Sequence, residues 1–220
     1  LGFIGLFAHE IGHMFGATHT FNGTGGSCTN NISFTTAYEI GSGSTIMSYQ
    51  GICGSEYNIP NTSDNFDYFH VASLFQMIDH INSIDCHDVG THTNNIPEVI
   101  INPCGLQEFN IPINTPFVIR GEGTDLDGDE LTYSWEQFDE DGEMDTLTKG
   151  LIGIDAANSP IAPLFRGYPP GASPIRQIPR FVPVSTPFEV LPLVPREINM
   201  RFTVRDNKVN GGAIAVEDLK

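Results

Sequence analysis

The sequence predicts an α+β fold, with a helical, loop-rich first part and an antiparallel β-sandwich behind it. Three observations carry that expectation. Apolar residues and histidines recur at helical spacing within 1–15 and again within 66–84. Beyond residue 96 the apolar pattern shortens to a period of two, in short runs separated by turn-forming residues. Between these regimes, residues 85–96 are polar and rich in turn formers, which puts a boundary near residue 90. The expected units are 1–90 and 91–220. With 40% apolar residues, a chain of 220 has the material for two modest packed domains.

The first element, 1–15, opens with eight mostly apolar residues that run directly into His9. They lack the basic lead of a signal peptide and read as the buried half of a helix. His9-Glu10-Ile11-Gly12-His13-Met14-Phe15-Gly16-Ala17-Thr18-His19 then follows the pattern HExxHxxGxxH. His9 and His13, four apart, fall about 40° apart on one helix face, one turn above the other. Both imidazoles can reach one ion there, with Glu10 at the same edge to hold a water and act as general base. Gly16 can take the left-handed backbone conformation that ends a helix, and the reversed chain returns His19 as a third ligand. Three imidazoles leave a fourth position open, the arrangement of a catalytic Zn2+ site.

Residues 16–63 are rich in Gly, Ser, Thr and Asn and predict irregular loop. Within them, 41–49 read Gly-Ser-Gly-Ser-Thr-Ile-Met-Ser-Tyr. Together, 9–19 and Met47 resemble the metzincin zinc endopeptidases. The resemblance implies that Met47 lies in a turn forming a floor beneath the metal without binding it. It also implies a helix after that turn, a protein or peptide substrate, and a secreted or cell-surface location. The flanking Thr45-Ile46-Met47-Ser48-Tyr49 is most similar to the reprolysin/adamalysin branch, especially its secreted bacterial members. Adamalysin-type sequences carry Asp after the third His, whereas this chain has Thr20-Phe21. His19-Thr20-Phe21, with the following Gly-rich stretch and Cys28, is also similar to the pappalysin branch, so the sub-branch stays open. Metzincins place a twisted sheet and two helices before the active-site helix. Their absence here leads us to expect an internal segment of a larger precursor, with the first helix short of a packing partner.

The next helix is expected over 66–84, N-capped by Asp64, with Phe69, Leu74, Met77, Ile78 and Ile81 on its apolar face. His70, His80, His87 and His92 do not fit the ligand pattern and are expected to be packed or surface histidines. Strands are expected at 97–101, 109–113, 117–121, 131–136 and 198–204. The run 124–135, ending in Trp135, resembles the polycystic-kidney/cadherin-like sandwich modules of secreted bacterial enzymes. Asp125, Asp127 and Asp129 alternate there, so their carboxylates could converge on Ca2+; a solvated Asp-Gly turn is the competing expectation. Residues 159–196 hold ten of the fifteen prolines and predict a stiff, extended insertion. Phe188-Glu189-Val190-Leu191 is its only stretch expected to pair, and the end of the chain, 216–220, is expected to fall short of a closing strand.

The formal net charge is −17, and residues 1–119 contain no Lys or Arg. Such a surface repels phosphate backbones and anionic lipid heads, so nucleic-acid and membrane partners are disfavoured. No apolar run is long enough to span a membrane. Four cysteines without a CxxC pair suggest two disulfides in an oxidising compartment. Three pairings are open; Cys28–Cys53 with Cys86–Cys104 is favoured, and buried thiols are the alternative. Two rival functions are a secreted adhesion or binding protein with a vestigial metal site, and a zinc hydrolase of non-peptide amides.

Overall fold

The computed structural model describes residues 3–60, 67–85, 90, 93–101, 106–139, 149–180 and 186–220. In chain order these form α1 (Phe3–Met14), a single 3-10 turn (Gly26–Cys28), α2 (Val71–Ser83), β1 (Glu98–Ile100), β2 (Phe117–Arg120), β3 (Glu122–Thr124), β4 (Thr132–Gln137), α3 (Gly153–Ala157), β5 (Ile175–Ile178), β6 (Met200–Arg205) and β7 (Ile214–Leu219). The chain is thus α+β, and every named strand pair is antiparallel: β1 with β3, β2 with β5, and β4–β6–β7 as a three-stranded sheet. Among the described residues no helix is long and apolar enough to cross a membrane.

The end of α1 is local chemistry. Gly16 takes φ +86°, and the Gly16 and Ala17 amides donate back to His13 and Gly12 carbonyls at 3.0 and 2.9 Å. Gly16 therefore closes the helix and turns the chain toward His19. The helix after the loop begins later than expected, at Val71. Its cap is His70, whose ring accepts from the Ala72 amide at 3.2 Å. The Glu136 carboxylate, from β4, accepts from the Val71 amide at 3.3 Å. Tertiary partners outweigh local propensity at this start, because Tyr68 and His70 are needed in the interior, where His70 stacks on Tyr38. Asp64 lies outside the described residues, as do Cys86, His87, His92 and Cys104.

Four of the five expected strands form. The fifth, 109–113, does not: Pro112 removes an amide, and the face that would be buried, Phe109, Ile111 and Ile113, is about half exposed. The proline-rich segment corrects a second expectation. It is not a bare stiff loop, since Ala162, Leu164, Phe165 and Ile178 are buried. Its Pro-flanked residues Ile175–Ile178 pair with β2 in full register. Elsewhere side chains replace the missing ladder: Gln137 Oε1 accepts from the Leu164 and Phe165 amides at 2.8 and 3.0 Å. Arg176 donates to the Arg166 carbonyl and to Glu189 at 2.7 and 3.0 Å. The expected Phe188-to-Leu191 pairing appears as a single bridge from Glu189 to Phe165. Against the expectation of a missing closing strand, β7 pairs along the whole of β6.

One core cluster collects Trp135, Phe165, Phe188, Met200 and Phe202 from the second part, and Ile40 and Ile59 from the first. Trp135 packs 4.7 Å from Phe202 and donates its indole N–H to the Pro174 carbonyl at 3.0 Å. A smaller cluster of Ala17, Ile46 and Met47, with Ala8, Phe69 and Met77, lies beneath α1.

Candidate metal centre

His9 and His13 project from one face of α1, and the Gly16 turn returns His19 beside them. Their ligand-capable nitrogens all lie within 4.8 Å of one another. His13 Nε2 is 3.1 Å from both His9 Nε2 and His19 Nε2. Each opposite nitrogen, Nδ1, is fixed on a backbone carbonyl: His9 on Ile46 at 2.7 Å, His13 on Ala17 at 2.8 Å and His19 on Asn31 at 2.7 Å. A carbonyl only accepts, so each Nδ1 carries a proton, and in the neutral ring Nε2 is then the bare, ligand-capable nitrogen. Three converging lone pairs cannot hydrogen-bond one another. They fit one cation: four ligands at 2.0–2.1 Å in a tetrahedron stand about 3.3 Å apart. The outward N–H-to-carbonyl bonds are those that orient histidine ligands in metal sites.

The electrostatics agree. Burial lowers the pKa of His9; the Ile46 bond opposes this and His13 adds to it. Burial likewise lowers that of His19, against the Asn31 bond. Both rings are thereby kept in the neutral form that binds a metal. Glu10, adjacent to His9 on α1, is exposed. Tyr49 packs its ring 4.5 Å from His19 and 5.7 Å from His9. Burial, then the Glu10 charge, raises the Tyr49 phenol pKa.

Met47 is fully buried below α1. A Cβ at Gly12 would overlap its sulfur, so that glycine lets the helix sit directly on the methionine. The turn around Met47 serves two ligands. The Ile46 carbonyl orients His9, and the Met47 carbonyl accepts from the Thr20 amide at 3.2 Å, fixing the segment that carries His19. The loop carrying Asn31 is tied by the Cys28–Cys53 disulfide. The three histidines named from the motif come together in the structure, with Glu10 beside His9 and Met47 beneath α1, whereas the motif gives no sign of the parts played by Tyr49, Asn31, Ala17 and Ile46. The last three act through backbone carbonyls, which leave no residue-type signal; Tyr49 stands in the motif text without a spacing rule to single it out.

His70 and His80 stand apart from this group. His70 is the α2 cap, and His80 packs against Phe15 and lies under Gly16. Asp125, Asp127 and Asp129 do converge. The Asp125 carboxylate accepts the Asp127 and Asp129 amides at 2.8 and 3.1 Å, as in a self-closed turn. The positive charge facing them is Lys208, 2.9 Å from Asp129 and 3.7 Å from Asp127. Asn95 holds the Asp127 pKa below the usual carboxylate value.

Residues 3–76 match the family model described as Metallo-peptidase family M12B Reprolysin-like. The match spans α1 with His9 and His13, the loops with His19 and Met47, and the first part of α2. No curated protein and no solved structure matches the chain. In its first third, then, this chain is similar to reprolysin-like metallopeptidases, and the resemblance seen in its motifs extends over the whole segment that builds the centre.

Proposed function

We propose that the chain is a secreted zinc-dependent endopeptidase of the metzincin kind, with a cadherin-like β-sandwich following the metal-binding part. The observation that carries this reading is the convergence of three bare Nε2 atoms whose Nδ1 protons are all committed to carbonyls. His9, His13 and His19 would hold the ion, and Met47 would underlie it. When bound, zinc supplies Lewis acidity, making a water nucleophilic near neutral pH and polarising a carbonyl. Glu10 takes the proton from the attacking water on one carboxylate oxygen and delivers it to the leaving amine. Its exposure leaves it open to water and substrate. The disulfide is consistent with an oxidising compartment.

Glu10→Gln tests the assignment. The variant is expected to bind one zinc per chain, as measured by atomic absorption after dialysis, and to lose at least about 1000-fold in casein or peptide cleavage. Cleavage within tenfold of the unmodified protein removes Glu10 as the base. Metal binding with no cleavage by the unmodified protein favours instead a binding protein with a vestigial site.

A further inference from the structure

A buried carboxylate outside the motif braces the centre from behind. Glu39 is 3% exposed. Its Oε2 accepts from the Thr20 and Thr45 hydroxyls, both at 2.6 Å. Its Oε1 accepts from the Ser44 amide at 2.7 Å and lies 3.0 Å from the Ser44 hydroxyl. The donors come from two segments that must be held in register. Thr20 follows His19, while Thr45 and Ser44 precede Ile46, whose carbonyl orients His9. The Glu39 main chain adds to the grip: its amide donates to the Thr20 carbonyl at 2.9 Å, and its carbonyl accepts from the Asn22 amide at 2.8 Å. The hub extends to the proline-rich segment, where the Gly167 carbonyl lies 3.2 Å from the Ser44 hydroxyl.

We propose that Glu39 is a positioning residue for the metal centre, setting the separation of His9 and His19 by clamping the segment after His19 to the turn before Met47. The proposal rests on the metal-centre reading above. Glu39 touches no ligand atom; it acts through Thr20 and Thr45. A charged acceptor suits this place because hydrogen bonds to a buried carboxylate are stronger than neutral ones, and the Thr20 and Thr45 hydroxyls and the Ser44 amide serve both of its oxygens, with the single Ser44 hydroxyl proton shared between Glu39 and the Gly167 carbonyl. Glu39→Gln keeps the shape but removes the charge and replaces one acceptor oxygen with a donor NH2, which either faces the Ser44 amide, a group that cannot accept, or forces the Thr20 and Thr45 hydroxyls to turn from donating to accepting. The two segments separate, and the ligand set loosens while the remainder of the fold keeps its own contacts.

The test is zinc affinity, read by competition with a chromogenic chelator at a temperature where circular dichroism shows each protein folded. Glu39→Gln is expected to weaken zinc binding about 10–100-fold, the range seen when outer partners of metal ligands are removed. Its kcat/KM should fall at limiting zinc and recover in excess zinc, a recovery that a general loss of stability would not produce. A second pair guards against a Gln variant that does not fold. Thr45→Val, which deletes the hydroxyl, should lose affinity, whereas Thr45→Ser, which keeps it, should not. Equal affinities for Thr45→Val and Thr45→Ser, or a folded Glu39→Gln within twofold of the unmodified protein, overturn the role of Glu39 and leave the metal centre standing. An unmodified protein that binds no zinc overturns both.

Discussion

Breaking the Cys28–Cys53 bridge should weaken the proposed metal centre through His19. The bridge closes a loop of sequence separation 25, and both half-cystines are fully buried. Loop-closure entropy for that length corresponds to about 3.5 kcal/mol at 25 °C. The closed loop also carries Asn31, whose carbonyl holds His19 Nδ1 at 2.7 Å. Asn31 is itself fixed by its amide on the Cys28 carbonyl at 3.0 Å and by its side chain on the Ser27 carbonyl at 2.9 Å. The double variant Cys28→Ala, Cys53→Ala should therefore show two separable losses. Urea unfolding with chelator present should fall by about 2–4 kcal/mol, the usual range for one bridge. Zinc affinity of the folded variant should drop about 10–100-fold, because His19 loses its orienting partner. With zinc present the stability gap should widen further, since a ligand bound only to the folded state stabilises by RT ln(1 + [L]/Kd). Unchanged zinc affinity beside a lowered stability would refute the link from bridge to Asn31 to His19. Unchanged stability would refute the bridge.

Gly12→Ala should destabilise the protein although alanine is the better helix former. The added Cβ would overlap Met47 Sδ in a fully buried site, where overpacking costs about 1–3 kcal/mol. The helix-propensity gain is only about 1 kcal/mol. A net loss of about 1 kcal/mol in urea is expected, and a more stable variant would show that the floor yields. At high pH, Tyr168 should become a liability. It donates to Glu189 at 2.8 Å, and burial first, with the Glu189 charge second, pushes its phenol up to about 12. Because the folded-state pKa lies above the unfolded value of about 10, this contribution is intact below about pH 10 and is lost as the pH rises toward 12. The melting-temperature gap between the unmodified protein and Tyr168→Phe should close over that interval; a gap independent of pH would contradict the assignment.

The centre was legible in the sequence to the extent that its geometry is local. His9 and His13 are related by the helical repeat, and His19 by one glycine-closed turn, so spacing alone brings them together. Met47 was legible through its resemblance to a known turn. What escaped is what depends on distant chain. Glu39 looks like any loop glutamate until Thr20, Ser44 and Thr45 surround it. The start of α2 was read early because its cap, His70, and its partner Glu136 owe their places to β4, not to neighbours in sequence. Strand β5 was hidden by flanking prolines: Pro174 and Pro179 bracket four residues that keep their amides and pair with β2. Strand β7 mixes Glu217 and Asp218 with its apolar residues, and only pairing with β6 makes it a strand; Asp218 there meets Arg201 at 2.6 Å.

The carbonyl anchors also bear on what kind of metal centre this is. Without an ion, three lone pairs facing one another at 3.1 Å repel, and the rings would swing apart if nothing held them. Three hydrogen bonds to fixed carbonyls, a buried methionine beneath and a disulfide-tied loop beside them resist that motion. A large core elsewhere in the chain, around Phe165 and Phe202, supplies cohesion that does not depend on the metal. In a small structural zinc site the relation is reversed, because the ion organises the ligands and its removal unfolds the chain. In the proposed centre the protein would organise the ligands, and the work of holding them together against repulsion would be returned as affinity when an ion enters. On the proposed reading, preorganisation by the chain, three histidine ligands among the described residues and an exposed carboxylate next to His9 are what a site needs to present its ion to a substrate.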